Sequence, residues 1–316
     1  MVAVWLIVIL AVVQGILEWL PVSSEGQLVL ILTWLNESQN ALAIALFLHL
    51  GTMLAVIARF WKDIFLLLGI KLPKKKTAEN EEEVIPNKLE TEENNSEQLL
   101  SVKDKQRRLW KFLLLATTAT AIIGIPLYLL VKYVLQEGEL LKFAGGAITG
   151  GDIITILIGV FLIGTGIFIL ISKRRISRKS IFEMSVLEML IVGAVQGIAV
   201  IPGVSRSGST IGAMLIEGVE EEDSLRGSFL LSIPAVIGAN ILTIIIDLIQ
   251  GDLSFEGVPI YAMFLAVLVS GVVGFITIDL FLRLAKKINF GWFCLTLGAL
   301  ALIITLVIII LNLTTI

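Results

Sequence analysis

The chain has 316 residues, of which 57% are hydrophobic and only 16% are charged, and its mean hydropathy is +0.95. A soluble domain carries roughly 25% charged residues, so the composition excludes an ordinary soluble protein and indicates an integral membrane protein. The net charge is -3 without a basic stripe, so nothing points to nucleic acid, and the single Cys294 excludes an internal disulfide and a cysteine-based metal site.

The first segment, residues 2–35, predicts two short apolar helices separated by a polar break. It lacks the basic start of a signal peptide and contains Glu18, so we expect it to be retained. Each half is too short for a clean span, because a membrane-spanning helix needs about 20 apolar residues. We interpret the segment as a re-entrant hairpin that enters the membrane and leaves on the same side.

Six later runs are long and apolar enough to cross a membrane as helices. They cover residues 41–60, 109–133, 151–172, 225–249, 258–283 and 290–313. A second helix–break–helix unit at 184–217 predicts a second re-entrant hairpin. Residues 72–106 are rich in Lys, Glu and Asn and nearly without aromatics, which predicts a solvated loop.

Basic residues alternate between the loops of this six-span arrangement. The loops after the first, third and fifth spans are rich in Lys and Arg, whereas the other loops are nearly free of them. Loops rich in Lys and Arg stay in the cytoplasm. The pattern therefore predicts that both termini lie outside and that the 72–106 loop is cytoplasmic.

Two segments of the chain are copies of one motif. Residues 13–27 (VQGILEWLPVSSEGQ) and 195–209 (VQGIAVIPGVSRSGS) share Val, Gln, Gly, Ile, Val, Ser and Gly at a constant offset. Three spans separate the copies, and because three is odd, the halves 1–183 and 184–316 have inverted topology. The sequence thus predicts an all-α polytopic membrane protein with six transmembrane helices plus two re-entrant hairpins in an inverted repeat, and with a site near the membrane midplane.

The first copy of the motif carries a carboxylate and two hydroxyls. Gln14 and Glu18 share a helix face because four residues separate them. A carboxylate at membrane depth is costly, so Glu18 faces a polar cavity, pairs with a cation or holds a proton; the alternative is a position at the interface beside Trp19. Ser23 or Ser24 caps the next helix, and a capped helix start binds anions.

The second copy carries the stronger signal. Residues 202–210 (PGVSRSGST) combine glycines, four hydroxyls and one guanidinium at a helix start, which is the chemistry of a phosphate cradle. Alternatively, Arg206 only neutralises Glu18, and the two roles are compatible. His49 lies in the middle of the first span, where we favour a supporting role over that of a general base.

These residues carry a resemblance to a known family. Together, QGILE at 14–18, PVSSEG at 21–26, FLHLGT at 47–52, PGVSRSGST at 202–210 and FLLSIP at 229–234 look like the undecaprenyl pyrophosphate phosphatase family, known from bacitracin resistance. The order and spacing match over nearly the whole chain, apart from the charged segment 72–106. The resemblance implies six spans with two re-entrant helix pairs. It also implies hydrolysis of an undecaprenyl-type diphosphate to the monophosphate and inorganic phosphate at the plasma membrane, which recycles the lipid carrier for envelope glycan synthesis.

The resemblance also implies roles for individual residues. By position, Glu18 matches the second acid of the family's Glu/Gln-x-x-x-Glu motif, Ser24 the attacking serine and Arg206 the essential arginine. The family uses a divalent cation, Mg²⁺ or Ca²⁺, for which Glu18 is the candidate ligand. The predicted phosphate-binding residues are Ser23, Ser205, Ser207, Gly208 and Thr210, and the predicted supporting residues are Gln14, Gln27 and His49.

Two positions depart from the family pattern, and a rival function stays open. Gln14 stands where many members have Glu, and Gln27 stands where many have a histidine. Glutamine has no titratable group, so Ser24 is the expected nucleophile.

The rival function is that of a polyprenyl-phosphate transporter, because an inverted repeat with a midplane site is also transporter architecture. The expected partners are the polyprenyl diphosphate and membrane lipids but no nucleic acid, a homodimer is one candidate assembly, and the active site is expected to open toward the external face.

Overall fold

The structure is a computed structural model that describes residues 4–20, 23–35, 41–70, 88–136, 150–173, 179–250, 259–285 and 289–314. The regular structure of these residues is helical, apart from one parallel bridge between Lys179 and Val219. The α-helices are α1 Val4–Leu17, α2 Ser24–Trp34, α3 Ala41–Arg59, α4 Trp61–Leu67, α5 Lys88–Gln136, α6 Gly150–Ser172, α7 Val186–Ile198, α8 Arg206–Ile216, α9 Glu221–Gln250, α10 Ile260–Ala285 and α11 Phe290–Thr314.

Five helical stretches are long and apolar enough to cross a membrane. They are Val102–Val131, Asp152–Ser172, Glu221–Ile246, Ile260–Leu284 and Phe290–Thr314. Large apolar side chains stand exposed on these stretches, which suits contact with lipid chains rather than water. The chain is therefore an all-α, multi-pass membrane protein. The remaining predicted span corresponds to α3, a helix of 19 residues of which the described apolar part is Phe47–Arg59.

The charged segment before the second predicted span differs from the predicted loop. Residues 88–106 form the first part of α5, a single helix of 49 residues, whereas residues 71–87 lie outside the described part of the chain. The segment contains Leu, Glu, Lys and Gln, which favour helix, and it is continuous with the apolar part of α5. Gln106 and Trp110 of α5 donate hydrogen bonds to the Leu67 carbonyl at 3.0 and 2.9 Å.

The two copies of the repeated motif are helix–break–helix units that make matching contacts. The first unit is α1–α2 and the second is α7–α8; α1 packs against α10, and α7 packs against α5. A Cβ atom on Gly15 would lie 2.8 Å from Val273 Cβ of α10, and one on Gly197 would lie 2.8 Å from Ile123 Cβ of α5. Equivalent glycines thus let both first helices approach their partners closely.

The two halves differ in the next pair of helices, and this difference forms a cavity. A Cβ atom on Gly51 of α3 would lie 2.0 Å from Ser270 Oγ of α10, so α3 and α10 are in tight contact. The repeat-related helices α9 and α5 instead line a cavity with residues between 234 and 242 and between 117 and 128. A Cβ atom on Gly238 would meet nothing within 4 Å. Among the described helices, α5 and α9 therefore leave a cavity between them, whereas the repeat-related pair α3 and α10 is closely packed.

Candidate active site

The tips of the two hairpins meet at one place. Ser23 caps α2 by accepting a hydrogen bond from the Gly26 N–H at 3.3 Å, and at the equivalent position Ser205 caps α8 by accepting one from the Gly208 N–H at 3.1 Å. A Cβ atom on Gly26 would lie 3.2 Å from the Gly203 nitrogen, so the tips touch. Two helix N-termini, which favour anions, converge on this region.

Ser23 adopts an unusual backbone conformation at the first tip. Its φ angle is 55°, and among the described residues it is the only one other than glycine with a positive φ. Non-glycine residues in this region cost energy and tend to occur at functional sites, where the surrounding structure holds them. Here the left-handed residue turns the chain so that α2 starts at Ser24, directly beside Glu18.

Glu18 is the polar centre of the site, and its side chain is buried. Its Oε2 accepts hydrogen bonds from Gln14 Nε2 at 2.7 Å and from Ser24 Oγ at 2.9 Å, and it lies 3.3 Å from His49 Nε2. Its Oε1 is hydrogen bonded to the Arg206 guanidinium. The pair considered as an alternative role for Arg206 is thus formed, and Glu18 is buried in the interior of the protein.

The hydrogen bonds of His49 fix how it faces Glu18. Its Nδ1 lies 2.6 Å from the Ala45 carbonyl oxygen, which can only accept, so Nδ1 carries a proton. A neutral ring would then present an unprotonated Nε2 to the Glu18 carboxylate, and two acceptors would repel each other. The contact at 3.3 Å is therefore favourable when a proton lies between His49 and Glu18, and the supporting role of His49 stays a prediction.

The hydroxyls of the second hairpin divide into two groups. Ser205 Oγ and Ser207 Oγ lie 3.4 Å apart, and Ser207 donates to the Leu20 carbonyl at 3.2 Å, which ties the second tip to the first. Thr210 is fully buried and donates to the Arg206 carbonyl at 2.9 Å, and its hydroxyl also contacts that of Ser228. Thr210 thus stabilises the first turn of α8 from behind.

A cavity of about 200 Å³ lies beside the tips. Predicted site residues that line it are Glu18, Ser23, Ser24, His49, Ser205, Arg206 and Ser207. Predicted site residues outside its lining are Gln14, Gln27, Gly208 and Thr210. Gln14 contacts Glu18 from behind, and the Gly208 N–H is engaged by the Ser205 cap. The structure therefore brings the three predicted catalytic residues together and sets Gln27 aside from the cavity.

Other polar residues contribute that the sequence analysis did not identify. The Ser205 N–H donates to Thr165 Oγ of α6 at 3.4 Å, and Ser228 of α9 supports Thr210. Gln196 and Thr117 line the cavity. Of these, only Gln196 had a signal in the sequence, because it repeats Gln14; the others depend on which helices pack together.

Whether a divalent cation fits the site depends on the oxygen atoms available around Glu18. Gln14 Oε1 is buried and has no hydrogen-bond partner among the described residues, but Gln14 does not line the cavity, whereas Glu18 and Ser24 do. The described residues contain no group of three or more His, Cys, Asp and Glu side chains that would close around a metal. Mg²⁺ is commonly bound by one or two carboxylates together with substrate phosphates. The donors therefore fit a cation whose shell the substrate completes.

Comparison with known proteins gives a match over most of the chain. The model of the family described as "Bacitracin resistance protein BacA" matches residues 7–302. A protein from Methanothrix thermoacetophila is 34% identical over 300 residues, covering 94% of this chain and 95% of its own length. Relatives from Methanococcoides burtonii and Methanosphaera stadtmanae are 35% and 36% identical, covering 94% and 95% of this chain and 96% and 97% of their own lengths. All three are named undecaprenyl-diphosphatase. The matched region includes most of the first hairpin, all of the second and the whole site, so the chain belongs to the bacitracin resistance protein BacA family.

Proposed function

We propose that this protein is a phosphatase that hydrolyses a long-chain, undecaprenyl-type polyprenyl diphosphate to the monophosphate and inorganic phosphate. The observation that carries the proposal is the Ser24 hydroxyl, which donates to the Glu18 carboxylate at 2.9 Å beside Arg206. The relatives named undecaprenyl-diphosphatase supply the substrate class. The reaction recycles the lipid carrier for envelope glycan synthesis.

The first chemical step follows from the hydrogen bond between Ser24 and Glu18. Ser24 Oγ attacks the terminal phosphorus while Glu18 takes its proton, and the bridging P–O bond breaks to release the polyprenyl monophosphate, which takes up that proton. Arg206 exchanges its contact with Glu18 for two oxygens of the phosphoryl group, which its planar guanidinium matches. The two helix starts lie where charge develops, so most of the catalysis is positioning and electrostatics.

A divalent cation, Mg²⁺ or Ca²⁺, belongs to this proposal. Glu18, which lines the cavity, would hold it from the protein side, together with oxygens of the diphosphate. When bound, it neutralises charge on the phosphoryl group as a Lewis acid.

The arrangement in the membrane is likewise proposed. The helices α1, α2, α7 and α8 have 14, 11, 13 and 11 residues, so each reaches only about 16–21 Å at 1.5 Å per residue and cannot cross a core of about 30 Å. They therefore form two re-entrant hairpins, and α3 is the first of six spans. The halves have inverted topology, and the site opens toward the external face of the plasma membrane.

The cavity provides a path for the isoprenoid tail. Between α5 and α9 its walls are mostly apolar, with Ala121, Ile125, Val236, Ala239 and Leu242. The diphosphate would lie at the hairpin tips while the tail passes between these two helices. A transporter needs a binding site of this kind but has no need of a hydroxyl bonded to a carboxylate, so hydrolysis is the better-supported function.

The test is phosphate release from undecaprenyl diphosphate by the purified full-length protein in detergent, with and without EDTA. We expect release that EDTA abolishes and that added Mg²⁺ or Ca²⁺ restores. A protein that is folded, binds the lipid and releases no phosphate with either cation would overturn the hydrolase proposal and favour transport.

A further inference from the structure

A second polar patch lies on the wall that α5 and α7 contribute to the same cavity that the hairpin tips line. It consists of Thr117 and Thr120, one turn apart on α5, and Gln196 near the end of α7. Gln196 is 2% exposed, and its Nε2 donates to Thr120 Oγ at 3.2 Å. This bond orients the amide group, so its oxygen is held in one place.

Two buried atoms of this patch have no hydrogen-bond partner among the described residues: Gln196 Oε1 and Thr117 Oγ. The neighbouring Thr118 and Thr120 each donate to the carbonyl four residues earlier, at 2.8 Å in both cases. Thr117 makes no such bond, although it belongs to the same helix. Buried polar atoms in native proteins are nearly always hydrogen bonded, so this pair points to a ligand in the cavity.

The hydrogen-bonding groups of the patch indicate which kind of ligand it binds. Gln196 Oε1 only accepts hydrogen bonds, whereas the Thr117 hydroxyl both donates and accepts. The cavity residues contributed by α5 and α7 carry no charge, so an anion would find no cation here and would meet an acceptor. Water donates to an amide oxygen and also accepts from a hydroxyl. A cavity of about 200 Å³ exceeds the roughly 10–15 Å³ that one water molecule needs.

We infer that Gln196 and Thr117 bind the water that completes the reaction. The inference rests on the proposed function, in which a phosphoseryl intermediate forms on Ser24. The oxygen of this water forms the new bond to phosphorus, and the bond from phosphorus to Ser24 Oγ breaks. One water proton passes through Glu18 to Ser24 Oγ, and the other stays on the inorganic phosphate that leaves.

The internal repeat gives this patch a counterpart at the first hairpin. Gln196 is the repeat-related partner of Gln14, and each has a buried Oε1 for which the described part of the chain offers no hydrogen-bond partner. The amide nitrogens differ in their partners: that of Gln14 bonds to Glu18, and that of Gln196 bonds to Thr120. The same motif position thus contacts the carboxylate in the first half and the water in the second. Gln196 and Thr117 act as positioning residues.

The experiment compares Thr117→Val and Gln196→Leu with the control Thr118→Val in the full-length protein. The control removes an exposed hydroxyl one position away. We expect both test variants to lower kcat at least about fivefold, with KM within about twofold of the unmodified value. With methanol as a competing acceptor, they should also raise the ratio of methyl phosphate to inorganic phosphate, which a loss of folded protein would not change.

Three results would overturn the inference. The first is a kcat equal to that of the control. The second is a raised KM with unchanged kcat, which would mean that the patch contacts the substrate instead of water. The third needs no activity, and therefore separates this inference from a failure of the proposed function. If Thr117 binds water, Thr117→Val lowers the midpoint of thermal unfolding below that of Thr118→Val; an equal or higher midpoint would mean that its hydroxyl has no ligand.

Discussion

Glu18 contacts four side chains, and each contact has a different consequence. Gln14 and Ser24 donate hydrogen bonds to it, His49 Nε2 lies 3.3 Å from it, and Arg206 neutralises it. A buried carboxylate without such partners would be very unfavourable. The same contacts prepare the reaction, because substrate phosphate can replace the carboxylate at Arg206 while Ser24 keeps its acceptor.

Substitution of Ser24 tests the nucleophile. Ser24→Ala removes the hydroxyl that bonds to Glu18, so we expect phosphate release to fall to background. The matched control is Gln27→Ala in the same helix. The Gln27 side chain does not line the cavity, so this substitution should only weaken activity. Steady-state phosphate release from a polyprenyl diphosphate in detergent measures both. Wild-type activity in Ser24→Ala would replace the phosphoseryl route with direct attack by water.

Substitution of Arg206 tests whether the guanidinium geometry matters. Lysine keeps the charge but cannot hold two phosphoryl oxygens in a planar fork. We expect Arg206→Lys to lose at least about tenfold in kcat/KM, which is about 1.4 kcal/mol of transition-state stabilisation. Arg59→Lys is the control, because Arg59 forms a partly exposed pair with Asp279 away from the cavity. Near-normal kcat/KM in Arg206→Lys would mean that Arg206 acts only as a counter-charge to Glu18.

At the level of elements, the hairpins depend on the close approach of their first helices to the long ones. Thr277 of α10 donates to the Gly15 carbonyl at 2.8 Å, and Thr120 of α5 donates to the Gly193 carbonyl at 2.9 Å. Each hydroxyl therefore fixes the position of one hairpin along the axis of a long helix. Together, the two contacts determine where along these helices the tips meet.

Gly197 provides a test of this close packing. Gly197→Ala would place a methyl group 2.8 Å from Ile123 Cβ, so α7 must move away from α5, which costs roughly 1–3 kcal/mol. The control is Gly164→Ala on α6, where a methyl group meets nothing within 4 Å and helix propensity favours Ala by up to about 1 kcal/mol. In thermal unfolding in detergent, we expect a lower midpoint for Gly197→Ala and an equal or higher one for Gly164→Ala. A raised midpoint for Gly197→Ala would contradict the packing described here.

Across the whole molecule, the sequence predicted what depends on local pattern. The repeated motif located both helix starts, capped by Ser23 and Ser205, and the cost of a buried carboxylate pointed to Glu18. The Thr117–Gln196 patch could not be predicted, because it depends on α7 packing against α5 far away in the chain. Residues 88–106 are helical rather than a loop because their helix-favouring side chains continue α5, although the segment is too polar to be buried.

The orientation in the membrane is the remaining prediction, and it concerns the whole chain. The alternation of Lys- and Arg-rich loops places the 72–106 segment in the cytoplasm and the C-terminus outside. Single cysteines, Glu90→Cys or Ile316→Cys, would be introduced in a Cys294→Ala background, since Cys294 is the only native cysteine. An impermeant thiol reagent added to intact cells should label position 316 and should label position 90 only after permeabilisation. Labelling of position 90 in intact cells would reverse the orientation, and the hairpin carrying Ser24 would then open to the cytoplasm.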